Sequence, residues 1–146
     1  MMTASPSTIL LVEDDLGQAE LIRLNLQLGN VRQEIVHVTD AIQALDYVHR
    51  RGLFEDRGDG AVLILLDLHL PRVHGIDFLR EVKSAQSTRQ TPVLIFAAED
   101  NPETVLLCYQ LGCNLFLSKP LAFEDFIGTI ERLAGVIQSV SLPGEL

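Results

Sequence analysis

The chain has 146 residues, 47% of them hydrophobic and 21% charged, which is typical of one compact globular domain. Its 20 acidic and 11 basic side chains give a formal net charge of −9, so we expect no basic face for nucleic acid or for an anionic membrane. No apolar run approaches the roughly 18 residues of a membrane span, and the first residues lack the charged and apolar regions of a secretory signal.

Five short segments predict β-strands, and the second, over residues 33–38, is more polar than the others, which favours a position near an edge of the sheet. Runs of about four to eight apolar residues between turn signals are typical of strands in parallel sheets. The runs over residues 8–12 and 61–66 are the most apolar, which favours a central position in the sheet. The predicted strands cover residues 8–12, 33–38, 61–66, 92–98 and 114–118.

The segments between these strands change to the apolar spacing of amphipathic helices. The first predicted helix has two apolar stripes, one of which must pack on the sheet. The second stripe, which contains Leu24 and Leu28, fits either a partner protein or a crowded surface within the domain. The predicted helices cover residues 16–28, 40–50, 75–84, 101–112 and 124–137.

Strands that alternate with helices favour an α/β fold, in which right-handed crossovers join parallel strands and helices cover both faces of the sheet. The flavodoxin-like strand order 2-1-3-4-5 fits best, because it places the two most apolar strands near the centre. We therefore predict a doubly wound, five-stranded parallel sheet with five helices. The domain is expected over residues 8–138, after a disordered leader at residues 1–7.

Two further features concern the environment and assembly of the chain. Cys108 and Cys113 are the only cysteines, and their spacing is neither a zinc pattern nor a disulfide framework. We interpret them as buried thiols in a reducing compartment and predict a cytoplasmic protein. The tail over residues 139–146 is mildly apolar, has no obvious partner within the domain, and could exchange between protomers as a dimer arm.

Charged side chains follow three of the predicted strands at the point where each strand ends. Glu13 and Asp14 follow the first strand, Asp67 the third and Lys119 the fifth. The first and third strands adjoin the switch point of this sheet order, where ligands bind outside the carboxyl ends. We therefore expect the three carboxylates to converge in one crevice. Each acid also fits a solvated strand end or a helix cap, and Lys119 also fits a surface residue.

Three carboxylates in one crevice repel one another, which raises their pKa values and favours a bound cation. Ligand sets made only of oxygen favour magnesium or calcium. Mg²⁺ takes few protein carboxylates and keeps room for phosphate oxygens. Together with a lysine that neutralises phosphate, such a trio predicts a phosphoryl site in which one aspartate is the covalent acceptor.

Spaced motifs in this frame resemble the receiver domain of two-component response regulators, the family of the chemotaxis regulators. The resemblance covers roughly residues 8–137. More narrowly, the loop over residues 51–60, the polar link before residue 92 and the C-terminal extension are similar to single-domain regulators paired with bacterial phytochrome kinases. The motifs are Val12-Glu13-Asp14-Asp15, Leu65-Leu66-Asp67-Leu68-His69-Leu70-Pro71 followed by Gly75, and Lys119-Pro120.

The resemblance implies a role for each charged side chain of the predicted site. Asp67 would be the phosphoacceptor, Asp14 a direct Mg²⁺ ligand and Glu13 a second acid that acts through water. His69 would lend its backbone carbonyl to the metal. Lys119 would pair with Asp67 and later with the phosphoryl group, and the peptide bond after Lys119 would be cis.

The chain departs from the family pattern at three positions. Ala97 stands at the end of the fourth strand, where the family carries a threonine or serine that bonds the phosphoryl oxygen. Alanine cannot make that bond, which puts the coupling from phosphate to surface in doubt. Phe116 stands at the aromatic switch position without a hydroxyl, and it fits a packing role equally well. His74 replaces the aspartate that many relatives carry before the loop glycine.

We predict a stand-alone response regulator that takes a phosphoryl group from a sensor histidine kinase and loses it slowly by hydrolysis. Apart from this self-phosphorylation and autodephosphorylation, we expect no enzyme activity. The signal would be a change of partner, and we expect a homodimer. The predicted kinase-docking face contains Leu24 and Leu28 of the first helix, and the predicted partner face contains Leu106, Leu107 and Tyr109 of the fourth.

Two other functions fit parts of the sequence. Ala97 also fits a degenerate receiver that no longer signals through phosphate and acts as a phosphate sink or a constitutive binding module. A phosphatase of the haloacid-dehalogenase type would also use an aspartyl phosphate. Such enzymes need a second aspartate two residues after the nucleophile as general acid, and this chain has His69 there.

Overall fold

A computed structural model describes residues 7–143 of the chain as one α/β domain. Ten regular elements alternate along these residues, with a single 3₁₀ turn at Gly52–Phe54 between the second helix and the third strand. The strands are β1 (Thr8–Val12), β2 (Glu34–Val38), β3 (Val62–Leu66), β4 (Val93–Ala97) and β5 (Leu115–Ser118). The helices are α1 (Leu16–Leu28), α2 (Ala41–Val48), α3 (Gly75–Ser84), α4 (Pro102–Leu111) and α5 (Phe123–Ser139).

The five strands form one parallel sheet in the order β2-β1-β3-β4-β5, which confirms the predicted flavodoxin-like topology. The register aligns the carboxyl ends of the central strands, since Val12 pairs with Val38 on one side and with Leu66 on the other. At the far edge Ala97 pairs with Ser118. The residues that follow β1, β3 and β5 therefore leave the sheet along the same edge.

Helices cover both faces of the sheet, and the sheet separates the core into two layers. Side chains alternate along β1, so that Leu10 and Val12 enter the layer under α2, α3 and α4, while Ile9 and Leu11 enter the layer under α1 and α5. These four side chains are at most 2% exposed. Burial on both faces explains why the sequence of a central strand is continuously apolar.

The tail beyond α5 differs from the prediction, because it has a partner within the domain. Leu142 is only 8% exposed and belongs to the same core layer as Ile9, Val31 and Ile137. Burying a leucine side chain is favourable, which accounts for the return of the chain onto its own domain. Residues 144–146 lie outside the described part, and the dimer arm stays a prediction.

The predicted cis peptide bond after Lys119 is wrong, since the described residues contain no cis bond. Trans is the more stable isomer of a bond before proline, by about 0.5–1 kcal/mol. Of the predicted leader, residues 1–6 lie outside the described part, and Ser7 is buried. No helix in the described part is long and apolar enough to cross a membrane.

Candidate phosphoryl and metal site

The three predicted carboxylates come together at the carboxyl ends of β1 and β3. Glu13 and Asp67 are buried, at 1% and 7% exposure, whereas Asp14 is exposed. One carboxylate oxygen of each side chain lies within 4.8 Å of the others. The backbone fixes this arrangement, because the Asp67 N–H donates to the Val12 carbonyl at 3.0 Å and the Glu13 N–H donates to the Val38 carbonyl at 3.1 Å.

Lys119 reaches the same place from the end of β5, with a side chain that is only 6% exposed. Its ammonium donates to Oε1 of Glu13 at 2.5 Å and to Oε1 of Gln18 at 2.6 Å. The distance from Nζ to Oδ2 of Asp67 is 3.8 Å, which is longer than a hydrogen bond. The lysine is thus beside Asp67, as expected, but its hydrogen bonds go to Glu13 and Gln18.

Gln18 is a site residue that the sequence reasoning missed. It lies in the first turn of α1, where the Asp15 carboxylate caps its backbone N–H at 3.0 Å. A glutamine three residues after a capping aspartate is the available signal, because a side chain there commonly bonds a polar group at the helix start.

The Glu13 carboxyl is held from several sides. Its Oε2 accepts a hydrogen bond from the Asp15 N–H at 3.2 Å, in addition to the Lys119 bond at Oε1. Its backbone carbonyl accepts one from Nε2 of His37 at 2.7 Å. These contacts fix Glu13 between β1 and β2 with both carboxylate oxygens in use.

Burial raises the pKa of Glu13 from its ordinary value of 4.5 to about 7. Lys119 opposes this shift through its hydrogen bond and its charge, and the Asp67 carboxylate adds to the shift to a smaller extent. Sequence reasoning attributes a raised pKa to repulsion among the acids. Desolvation is the larger cause for Glu13, because this side chain lies almost entirely away from water.

The donor set of this cluster fits a hard divalent cation. The cluster offers three carboxylates and no thiolate or imidazole, which suits Mg²⁺ better than a transition metal. Asp14 is exposed and so leaves one side open to water or to a phosphoryl oxygen. The residues present therefore fit Mg²⁺.

The loop between β3 and α3 is held tightly against the site by a glycine. A Cβ atom on Gly75 would lie 2.7 Å from both the Asp67 carbonyl oxygen and the Leu68 Cα. The Gly75 N–H donates to the Leu68 carbonyl at 2.9 Å. His74 caps α3, since its Nδ1 accepts the Ile76 N–H at 3.1 Å.

The same loop places His69 beside His74, and it contacts the start of α2 through Arg72. The His69 side chain is exposed, and its ring packs edge to face on the His74 ring, with centroids 5.7 Å apart. Arg72 has a positive φ of 67° and forms an ion pair with the buried Asp40, which also caps α2. The loop that follows Asp67 is therefore anchored to two helix starts.

The two predicted switch positions lie at the β4–β5 edge. Ala97 is fully buried and offers no hydroxyl. Its strand partner Ser118 does carry one, which donates to the Glu99 carbonyl in the β4–α4 loop at 2.9 Å. Phe116 is half-buried against the core layer under α2, α3 and α4, and its N–H donates to the Tyr109 hydroxyl at 3.0 Å.

The predicted contact faces expose apolar side chains. Leu24 and Leu28 on α1 are 42% and 78% exposed, and Leu106 and Tyr109 on α4 are 58% and 45% exposed. Leu107 is half-buried. The sequence reasoning did not single out three further exposed apolar side chains at the starts of α1 and α5: Leu16, Leu121 and Phe123.

Known proteins share this fold. The response regulator Rcp1 from Synechocystis sp. strain PCC 6803 is 28% identical over 139 residues, which is 94% of each chain. A response regulator receiver domain from Rhodospirillum rubrum superimposes with a TM-score of 0.84 at 38% identity, covering 94% of this chain and 98% of that one. The phosphorylated cyanobacterial phytochrome response regulator RcpA superimposes with a TM-score of 0.87 at 27% identity, covering 95% and 99% of the two chains.

The family match extends over most of the chain. Residues 9–131, from the first strand into the last helix, match the response regulator receiver domain. The strand order and the acidic cluster agree with that match. This chain belongs to the response regulator receiver domain family.

Proposed function

We propose that this chain is a response regulator that accepts a phosphoryl group on Asp67, with Mg²⁺ as cofactor. The observation that carries the proposal is the convergence of three carboxylates with one buried ammonium at a single edge of the sheet. A buried carboxylate next to a lysine and two further acids suits nucleophilic attack on a phosphoryl group. The family match adds the setting of two-component signalling.

In the proposed reaction an Asp67 carboxylate oxygen attacks the phosphorus of a phosphohistidine on a sensor kinase. The P–O bond to Asp67 forms, the P–N bond breaks, and the imidazole leaves. Lys119 supplies a positive charge 3.8 Å from the Asp67 carboxylate, which lowers the repulsion between two anions. Water later attacks the acyl phosphate, the P–O bond to Asp67 breaks, and inorganic phosphate leaves.

Mg²⁺ would be held by Asp14 and Asp67 directly, by the His69 backbone carbonyl, and by Glu13 through water. Two observations support this division: Asp14 is exposed, and both Glu13 carboxylate oxygens already accept hydrogen bonds. When bound, the cation would neutralise phosphoryl oxygens. Among the relatives, Rcp1 has a known Mn²⁺-bound form, with a TM-score of 0.88 at 28% identity.

The proposed upstream partner is a sensor histidine kinase of the bacterial phytochrome type. RcpA, a cyanobacterial phytochrome response regulator, supports this class of partner. The exposed Leu24 and Leu28 give α1 an apolar face for the kinase. Leu106 and Tyr109, with Leu107 beside them, give α4 a face for the downstream partner or for a second copy in a homodimer.

A degenerate receiver is the second candidate, and Ala97 favours it. The position is fully buried at the end of β4, so no water can easily replace the missing hydroxyl. Such a protein would accept phosphate without moving the β4–α4 loop. The haloacid-dehalogenase alternative is dropped, because the chain belongs to the receiver family.

Incubation with acetyl phosphate and Mg²⁺, followed by intact mass measurement, tests the proposal. We expect one added phosphoryl group per chain. The group should not be added when EDTA replaces Mg²⁺ in the incubation. Asp67→Asn should stay unmodified. An unmodified wild-type protein, or a labelled Asp67→Asn variant, would overturn the assignment of Asp67.

A further inference from the structure

The Gln18 side chain has an unusual direction for its place in α1. A glutamine at the third position of a helix commonly turns back to bond the N–H of the capping residue. Here the N–H of the capping Asp15 donates to Glu13 instead, at 3.2 Å. The Gln18 amide oxygen is left to accept the Lys119 ammonium at 2.6 Å.

Lys119 has few ways to satisfy its charge. Its ammonium carries three N–H donors, and two of them go to Glu13 and Gln18. Because the side chain is 6% exposed, water is a poor substitute for either acceptor. The two bonds keep Nζ on the side of β1 and α1, 3.8 Å from Asp67.

An amide suits this position better than a carboxylate would. Glu13, Asp14 and Asp67 already bring three acids within 4.8 Å. A fourth negative charge beside them would increase the repulsion among these acids. Gln18 therefore gives the ammonium an acceptor without adding charge.

We propose that Gln18 is a positioning residue that holds Lys119 on Glu13 before phosphorylation and releases it when Asp67 is phosphorylated. This inference rests on the proposed function, in which Lys119 turns to the phosphoryl group. An interaction made only in the unphosphorylated state slows phosphorylation, since its loss must be overcome on the way to the product. Gln18 thus restrains the reaction.

The contact can be tested without phosphate or metal. In ¹⁵N-labelled, metal-free protein, we expect the Lys119 ammonium protons to exchange slowly with water, because they are buried and hydrogen-bonded. Gln18→Met removes the acceptor at similar length and should speed this exchange about tenfold, the equivalent of one hydrogen bond to a charged group. Gln18→Glu keeps an oxygen acceptor and should keep the slow exchange.

The restraint itself is measured as the initial rate of phosphorylation by acetyl phosphate with Mg²⁺. We expect Gln18→Met to react about three- to tenfold faster than wild type, because the ammonium is free to meet the phosphoryl group. Gln27→Met is the matched control, since Gln27 is exposed on the same helix, and it should react at the wild-type rate.

The outcomes separate the inference from the proposed function. Suppose that the wild-type protein is labelled, and that Gln18→Met shows unchanged or slower labelling and an unchanged rate of ammonium exchange. Gln18 then does not position Lys119, although the proposed function stands. If wild type is not labelled, the proposed function fails. In that case the ammonium exchange still decides whether Gln18 holds Lys119.

Discussion

Glu13 is the residue at which burial and charge compete most directly. The side chain is 1% exposed, which raises its pKa, while its 2.5 Å bond to Lys119 favours the anion. The result is a pKa of about 7, so Glu13 changes its charge near neutral pH. The Glu13 anion favours a nearby cation through its charge, so the proposed metal binding should depend on pH.

We expect the affinity for Mg²⁺ to rise as the pH increases through about 7, because the Glu13 anion attracts the cation and the protonated form does not. Titration calorimetry in buffers of different ionisation enthalpy would also show proton release. Glu13→Gln should remove most of this pH dependence. Equal affinities of the wild-type protein for Mg²⁺ at about pH 6 and about pH 8 would show that Glu13 does not contribute to the metal site.

The raised pKa also has a consequence for the metal-free protein. Between pH 4.5 and about 7 the folded chain keeps a proton on Glu13 that the unfolded chain has lost. The free energy of unfolding should therefore fall as the pH rises across this interval. Urea denaturation in EDTA measures it, with Glu13→Gln as the variant that lacks this contribution.

Ala97 ends β4 with a buried side chain that offers no hydroxyl. We expect Ala97→Ser to strengthen the chemical-shift changes of residues 98–101 on phosphorylation, because the new hydroxyl can bond a phosphoryl oxygen. Ala98→Ser is the matched control, since Ala98 is the exposed neighbour. Equal shift changes in the two variants would show that the missing hydroxyl does not limit the response.

At the scale of elements, the β3–α3 loop depends on one close approach. Gly75→Ala would place a Cβ 2.7 Å from backbone atoms of Asp67 and Leu68, which cannot move aside. We expect a loss of about 1–3 kcal/mol in the free energy of unfolding, as for other overpacked sites.

Urea denaturation checks this expectation. Gly135→Ala is the control, because a Cβ there meets nothing within 4 Å in α5. The control should gain up to about 1 kcal/mol, since alanine is the better helix former. A Gly75→Ala variant as stable as wild type would show that the loop can shift.

The regular elements could be predicted from the sequence because their signals are local. Short runs rich in apolar residues identified the strands, although the run of β2 is more polar, and the carboxylates that follow β1 and β3 identified the site. Side-chain direction could not be predicted in the same way. That Lys119 bonds Gln18, and that Ser118 reaches the Glu99 carbonyl, depends on how distant elements pack.

The loop over residues 51–60 shows the same limit at a helix end. Its Arg57 side chain donates to the Tyr47 carbonyl at 2.6 Å and to the Val48 carbonyl at 3.4 Å. The guanidinium thus satisfies two carbonyls at the end of α2, ten and nine residues earlier in the chain. Spacing alone carries no signal for such a contact.

For the molecule as a whole, the open question is whether the tail packs on its own domain or forms a dimer arm. Because Leu142 is 8% exposed in the core under α1 and α5, we expect Leu142→Ala to cost about 2 kcal/mol of unfolding free energy. Val140→Ala, at a side chain that is 39% exposed, should cost less.

Unfolding at two protein concentrations separates the two roles. A tail that packs on its own domain predicts the same loss at both concentrations. A loss that appears only at the concentration where dimers form would instead assign Leu142 to the dimer arm.

Chemical trapping of the modified residue shows whether Asp67 carries the phosphoryl group. Borohydride reduces an acyl phosphate to an alcohol, so labelling with acetyl phosphate and Mg²⁺, reduction and peptide mass mapping locate the acceptor. We expect homoserine at position 67 and unchanged acids at positions 13 and 14. Reduction at Glu13 or Asp14, or at no residue of a labelled protein, would contradict this expectation.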